Sequence, residues 1–258
     1  MKRSKKLILL AIFVLFVAYL TVSTGFVASR QRALVCHSVQ IKVCDSSASH
    51  FITRAAVSRI LSRDAGKTIG EYITHLDIYN LEQLLNKQSA IRRTEVFSSI
   101  DGVLHIDVYQ RRPVVRVQTS SLGFYIDETG YIFPLSDVYT SFVPVVTGTV
   151  PMNIRNGYRG LIPGKEKFLK QIYTFALFLD EHDFWWSQIA QIHVKSASDI
   201  DLTPHEGHEV IRLGALNGYE YKLNKLKAFY RSACPAGVQS PYSDIDLRYS
   251  NQVICKRK

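Results

Sequence analysis

The stretch TEVFSSIDGVLHIDVYQ, residues 94–110, decides how this chain is read. Thr94 to Ile100 and Val103 to Gln110 are rich in β-branched and aromatic residues and are joined by Asp101-Gly102. An Asp-Gly pair between two such runs favours the type I′ turn that a tight hairpin needs. In the second run Leu104, Ile106 and Val108 point one way and His105, Asp107 and Tyr109 the other, which is the period of a half-buried strand.

Upstream of the hairpin, Val39, Ile41 and Val43 alternate with polar residues and predict a strand. Phe51 to Leu61 carries apolar residues at helical spacing after Ser46, Ser47 and Ser49, and Gly66 ends it. A second helix is expected near Asn80 to Gln88, with Leu81, Leu84 and Leu85 on one face. The order strand, helix, helix, hairpin predicts a compact α+β module over residues 36–112, a three-stranded sheet with two helices on one face.

Downstream, Pro113 marks a junction and the texture turns mostly β. Short strands are expected at Val114–Val117, Gly123–Ile126, Tyr131–Phe133, Val143–Val146, Ile189–Val194, Asp199–Leu202 and Glu209–Leu213. Helices are expected at Lys165–Glu181 and Tyr219–Ser232, and a last strand at Ser243–Lys256, regular or interrupted by a bulge.

Residues 7–29 contain no charge and are mostly Leu, Ile, Val, Phe and Ala. At ~1.5 Å per residue, ~20 residues span a ~30 Å hydrocarbon core. Lys2, Arg3, Lys5 and Lys6 precede the run and hold that end in the cytoplasm by the positive-inside rule. A cleaved signal peptide is the alternative. Its apolar part is ~7–15 residues long, and Val27-Ala28-Ser29 is a poor cleavage match, so the run reads as an uncleaved anchor. With Lys256, Arg257 and Lys258 at the other end, these tips carry most of the net charge of +10. The body between them is too weakly basic for a nucleic-acid-binding surface.

Cys36, Cys44, Cys234 and Cys255 fall on the external side, where disulfides can form. Cys36 and Cys44 flank one extended segment and are too far apart to bond to each other. Cys234 with Cys255 is geometrically freer, and four buried thiols are the other reading. None forms a Cys-x-x-Cys pair, so a zinc site through sulfur is not expected. Catalytic signatures are absent: no Gly-x-Ser-x-Gly, P-loop, Gly-x-Gly-x-x-Gly or His-Glu-x-x-His. His205, Glu206, His208 and Glu209 could ligate a metal, but after Pro204 and around Gly207 they read as a polar hairpin tip. Trp185 and Trp186 read as a helix-end pair plugged into the core, with an aromatic sugar platform as the alternative, and Arg92-Arg93 and Arg111-Arg112 as solvated hairpin flanks, with contact to anionic lipid or an acidic partner as the alternative.

Several segments, in order, resemble the bacterial FtsQ (DivIB) cell-division family. They are Thr94-Glu95-Val96 with the hairpin Asp101 to Val108, the junction Gln110-Arg111-Arg112-Pro113-Val114-Val115-Arg116, and the turn Tyr125 to Phe133 with its Asp127-Glu128-Thr129-Gly130. Val143 to Gly148, Val210 to Gly214 with Lys222-Leu223, and Ile245-Asp246-Leu247-Arg248-Tyr249 complete the set. Two positions depart from the family pattern: Gln110 stands where an acid is common, and Ser250-Asn251-Gln252 lacks the usual glycine.

The resemblance implies a cytoplasmic tail (1–6), a transmembrane helix (7–29), a POTRA-type domain (30–117) and a mostly β C-terminal domain with accessory helices (118–258). It implies a non-enzymatic divisome scaffold of the inner membrane and septum, with its C-terminal domains in the periplasm and no cofactor. Its partners would be small bitopic proteins of FtsB/DivIC and FtsL type, with other divisome proteins at the POTRA domain, and the outcome would be control of septal peptidoglycan synthesis. Contact by strand addition at the last β edge makes Leu247, Arg248, Tyr249, Val253 and Ile254 the candidate residues. If that strand is regular, Leu247 and Tyr249 share a face, and packing inside is the competing role for both. A POTRA-type secretion or assembly factor and a signal-anchored envelope hydrolase are the alternatives.

Overall fold

A computed structural model describes residues 12–23, 34–44, 50–64, 66, 68–233 and 240–258. Of the expected span 7–29, residues 12–23 are described, as a helix (α1), and the rest lies outside the described residues. Among the described residues no helix is long and apolar enough to cross a membrane. The chain divides into two compact units, one from Met1–Ser46 and Ile52–Gln110, the other from Ser47–Phe51 and Arg111–Lys258.

The first unit has a three-stranded sheet in the order β1 (Ser38–Val43), β3 (Val103–Gln110), β2 (Ile91–Ser98). β1 runs parallel to β3, and β2 antiparallel. The alternation of β3 becomes burial: Leu104, Ile106 and Val108 are fully buried and their neighbours are not. Gly102 is obligatory twice over. Its φ is +82°, and a Cβ there would sit 2.6 Å from the Val35 carbonyl oxygen.

Two helices supply the rest of this core. α2 (Arg54–Asp64) begins where Thr53 Oγ1 accepts the Ala56 N–H and buries Val57 and Leu61. It starts three residues later than the apolar spacing suggests. α3 (Ile78–Asn86) begins where Asp77 accepts the Asn80 N–H and buries Leu81 and Leu85. Glu82 of α3 accepts the Val96 N–H at 2.9 Å, so a side chain occupies a backbone donor of the edge strand β2.

The second unit has a ten-stranded mixed sheet among the described residues. In spatial order it runs β13 (Ile254–Arg257), β12 (Tyr242–Asp246), β11 (Val210–Arg212), β10 (Asp199–Pro204), β9 (Ile189–Ser196), β7 (Val145–Gly148), β4 (Pro113–Gln118), β5 (Gly123–Asp127), β6 (Tyr131–Pro134), β8 (Gly160–Leu161). β4 pairs with β5 and β7, which places it in this unit.

Register explains the layering. Val117, Val146, Ile192, Leu202, Ile211 and Ile245 are successive cross-strand partners, and all are buried. One residue further along, Thr147, His193, Asp201, Arg212 and Asp246 form the next row, which alternation directs to the opposite face. The apolar row shares its core with α4 (Lys167–Asp180), α5 (Asp183–Gln188) and α6 (Tyr219–Ala233), through Phe168, Ile172, Phe175, Leu179, Trp185, Leu223 and Leu226. Trp185 is plugged into that core as expected, whereas Trp186 is only half-buried. Phe51 packs edge-on against Tyr125, Phe133 and Tyr139, with ring centroids 4.9–5.6 Å apart.

Both arginines of the junction are committed within the chain, Arg111 nearly buried and Arg112 at the surface. Arg111 donates to Asp127 Oδ2 at 2.8 Å and lies 3.6 Å from the Tyr131 ring centroid. Asp127, 1% exposed, also accepts the Thr129 N–H, the Thr129 hydroxyl and the Tyr131 N–H on Oδ1. Arg112 grips both oxygens of Asp180, at the end of α4, and donates Nε to Glu128. These carboxylates push the Arg112 pKa up against the opposing effect of burial.

Candidate partner-binding edge

β13 is the terminal strand of the sheet order and pairs antiparallel with β12. Ile254, Lys256 and Arg257 are exposed along it. An edge strand presents backbone donors and acceptors in a row, which is what a strand-adding ligand needs. The basic side chains favour an acidic partner segment.

The expected single strand Ser243–Lys256 is instead two strands with a loop between them. The break is made by Asp246. Its Oδ1 accepts the Arg248 N–H at 3.0 Å, turning the chain, and the Arg248 guanidinium folds back on both carboxylate oxygens at 2.6–3.1 Å. The Arg248 hydrogen bonds hold the Asp246 carboxyl below the usual carboxylate range and raise Arg248 in return. One strand inward, Arg212 pairs in the same way with Asp244.

The structure therefore separates the five candidates. Leu247 is 0% exposed and belongs to the core, with its N–H bonded to the Arg212 carbonyl. Its side chain is closed to any partner. Tyr249 is 47% exposed and Ile254 46%, so Tyr249 beside the edge strand and Ile254 on it present apolar surface. Arg248 is exposed but committed to Asp246, and Val253 is half-buried against the core. Leu247 and Tyr249 do not share a face, because β12 has ended before either.

Two residues that sequence reading missed lie on α6. Lys225 Nζ donates to the carbonyls of Leu247 (3.2 Å), Gln252 (3.1 Å) and Tyr249. The Tyr221 hydroxyl donates to the Ser250 carbonyl. The signal was present but faint. Lys225 follows Lys222 by one turn, and Lys222 caps the carbonyls of Leu213 and Ala215 in the same manner. Burial lowers the pKa of both lysines.

The other constellations do not converge. Among the described residues there is no group of three or more His, Cys, Asp or Glu able to hold a metal ion. His205 stacks on Phe142, while Glu209 accepts from the Tyr230 hydroxyl and the His208 N–H. Cys36 and Cys44 stand at opposite ends of β1, unbridged, with Cys36 buried in the first core. Cys234 lies outside the described residues.

Comparison with known proteins agrees with this architecture. Residues 34–109 match the model of a POTRA-like domain. Residues 112–256 match the model described as FtsQ/DivIB, C-terminal related. The cell division protein FtsQ of Geotalea daltonii is 25% identical over 195 residues, covering 75% of this chain and 68% of that protein. A family model that spans more than half of the chain, behind a POTRA-like module, identifies the chain as a member of the FtsQ/DivIB family.

Proposed function

We propose that this chain is a non-enzymatic scaffold of cell division, anchored in the inner membrane by residues 7–29 with its two folded units in the periplasm at the septum. It takes up an extended segment of a small bitopic division protein of FtsB/DivIC type, paired along β13, and through it engages an FtsL-type protein to help control septal peptidoglycan synthesis. The POTRA-like unit is left for other divisome partners. The observation that carries this reading is the exposed terminal strand β13 with Ile254 on it and Tyr249 beside it, in a chain of this family. The uncharged run at 7–29 behind four cations supports the anchor and its orientation.

The test is the affinity of the full chain for the external segment of its cognate FtsB-type protein. Tyr249→Ala and Ile254→Ala are the variants. Tyr249 as a hot spot is worth ~2 kcal/mol, or roughly 30-fold in Kd. Wild-type protein that does not bind, or two variants that bind unchanged, would refute strand addition at this edge.

A further inference from the structure

From Arg248 to Gln252 every side chain is exposed, so the loop that leads into β13 is not held by apolar burial. It is held through its carbonyls. Three of them, from Leu247, Tyr249 and Gln252, converge on the Lys225 ammonium, and a fourth, from Ser250, accepts the Tyr221 hydroxyl. An ammonium has three protons and no acceptor, so three carbonyls use it fully. Converging carbonyl oxygens repel one another unless a cation sits between them, and charge-assisted bonds are the stronger kind.

We infer that Lys225 is the positioning residue of the partner edge: its ammonium sets the 247–252 loop, which presents Tyr249 and delivers the chain in register into β13. The inference rests on the strand-addition reading and extends it to α6, a helix that need not touch the partner. Binding to a preset edge avoids the ordering cost that a splayed loop imposes at the moment of contact. Lys225 therefore acts on affinity through the loop, and Leu223 and Leu226 on either side of it carry the helix packing.

Two measurements on the full chain test this. The first is amide hydrogen exchange of residues 249–254 in the unliganded protein. The second is affinity for the external segment of the cognate FtsB-type protein. Lys225→Met keeps the length of the side chain and removes all three donors. It should speed exchange across the loop at least tenfold and weaken binding about tenfold, with the melting temperature nearly unchanged. Lys225→Arg, which still offers several donors, should recover part of both. Tyr221→Phe removes a single tie and should give a smaller change in the same direction, which covers the case of a poorly folded methionine variant. Unaltered loop exchange in Lys225→Met overturns the inference, as does faster exchange with unaltered affinity. Wild-type protein that fails to bind refutes the strand-addition reading itself and the partner edge with it; the exchange difference between variants would then still appear, and so marks which of the two ideas failed.

Discussion

Replacing Asp127 should unfold the second unit more readily than any other single carboxylate change in it. Asp127 is 1% exposed and its carboxylate takes four donors at once. Oδ1 takes three donors of the 127–131 turn, and Oδ2 takes Arg111, whose side chain is only 11% exposed. In Asp127→Ala the turn loses its acceptor and the nearly buried Arg111 loses this carboxylate. Breaking a buried pair in this way costs about 3–5 kcal/mol. Asp127→Asn keeps an oxygen for the turn and loses the ionic partner, which should cost about 1.5–3 kcal/mol, the worth of a hydrogen bond to a charged group. Both tryptophans of the chain, Trp185 and Trp186, lie in this unit. Urea unfolding followed by their fluorescence therefore reports it separately, as a shift of midpoint at constant slope. A cost below ~1 kcal/mol for Asp127→Ala would refute the account of this carboxylate as the acceptor that holds Arg111 and the 127–131 turn.

The remaining expectations are as direct. Leu247→Ala should lower stability by about 2–5 kcal/mol as a core truncation, whereas Tyr249→Ala, at an exposed position, should stay within ~0.5 kcal/mol; the reverse order in urea would restore Leu247 as a surface contact. Asp246 has a folded pKa below its unfolded value, so the folded state binds fewer protons. Its contribution is complete above about pH 4 and fades as pH falls through the lower folded value. Acid titration of Asp246→Asn should accordingly show a shallower loss of stability than wild type, and identical acid limbs would remove the Arg248 pairing as the cause. Phe51→Ala should cost about 3–5 kcal/mol, read by the same tryptophan signal, because its ring packs on Tyr125, Phe133 and Tyr139; an effect confined to the first unit would contradict that packing.

The hairpin at 94–110 was legible because its information is local. A period of two specifies pairing without reference to distant residues, and Leu104, Ile106 and Val108 are buried accordingly; the turn differs from the expected type I′, because Asp101 keeps a negative φ and the Gly102 N–H bonds the Ser99 carbonyl, leaving only Gly102 left-handed. The end of the chain misled for the opposite reason. Ile245, Leu247 and Tyr249 continue a strand period on paper, yet the strand stops at Asp246, whose side chain bonds the backbone two residues on. The cation that holds the following loop comes from Lys225, some twenty residues upstream on a helix. Arg111 likewise looked like a solvated flank until the pairing of β4 with β5 brought Asp127 beside it. Short-range turns and periods are written in the sequence directly, whereas the partners of charged groups depend on a register that must form first.

The strand order also determines how the second unit bears load. The chain enters it at β4, and β13 lies six strands away in the order β4-β7-β9-β10-β11-β12-β13. At ~4.8 Å per strand, that is about 29 Å of sheet crossed at right angles to the strands. On the anchoring and strand addition proposed above, a pull between the tether and a partner on β13 would run along the hydrogen bonds of six successive ladders. The weakest of the six sets the force at which the part yields. By register the shortest of the six are β4–β7 and β10–β11, with two residue pairs each, so yielding begins at one of these, while β9 between them keeps its longer ladders. The row from Val117 to Ile245 crosses the first five of these ladders and couples neighbouring strands side by side. With a partner seated as proposed, release at β10–β11 would free it together with strands β11 to β13, while the sheet around β9 stayed paired.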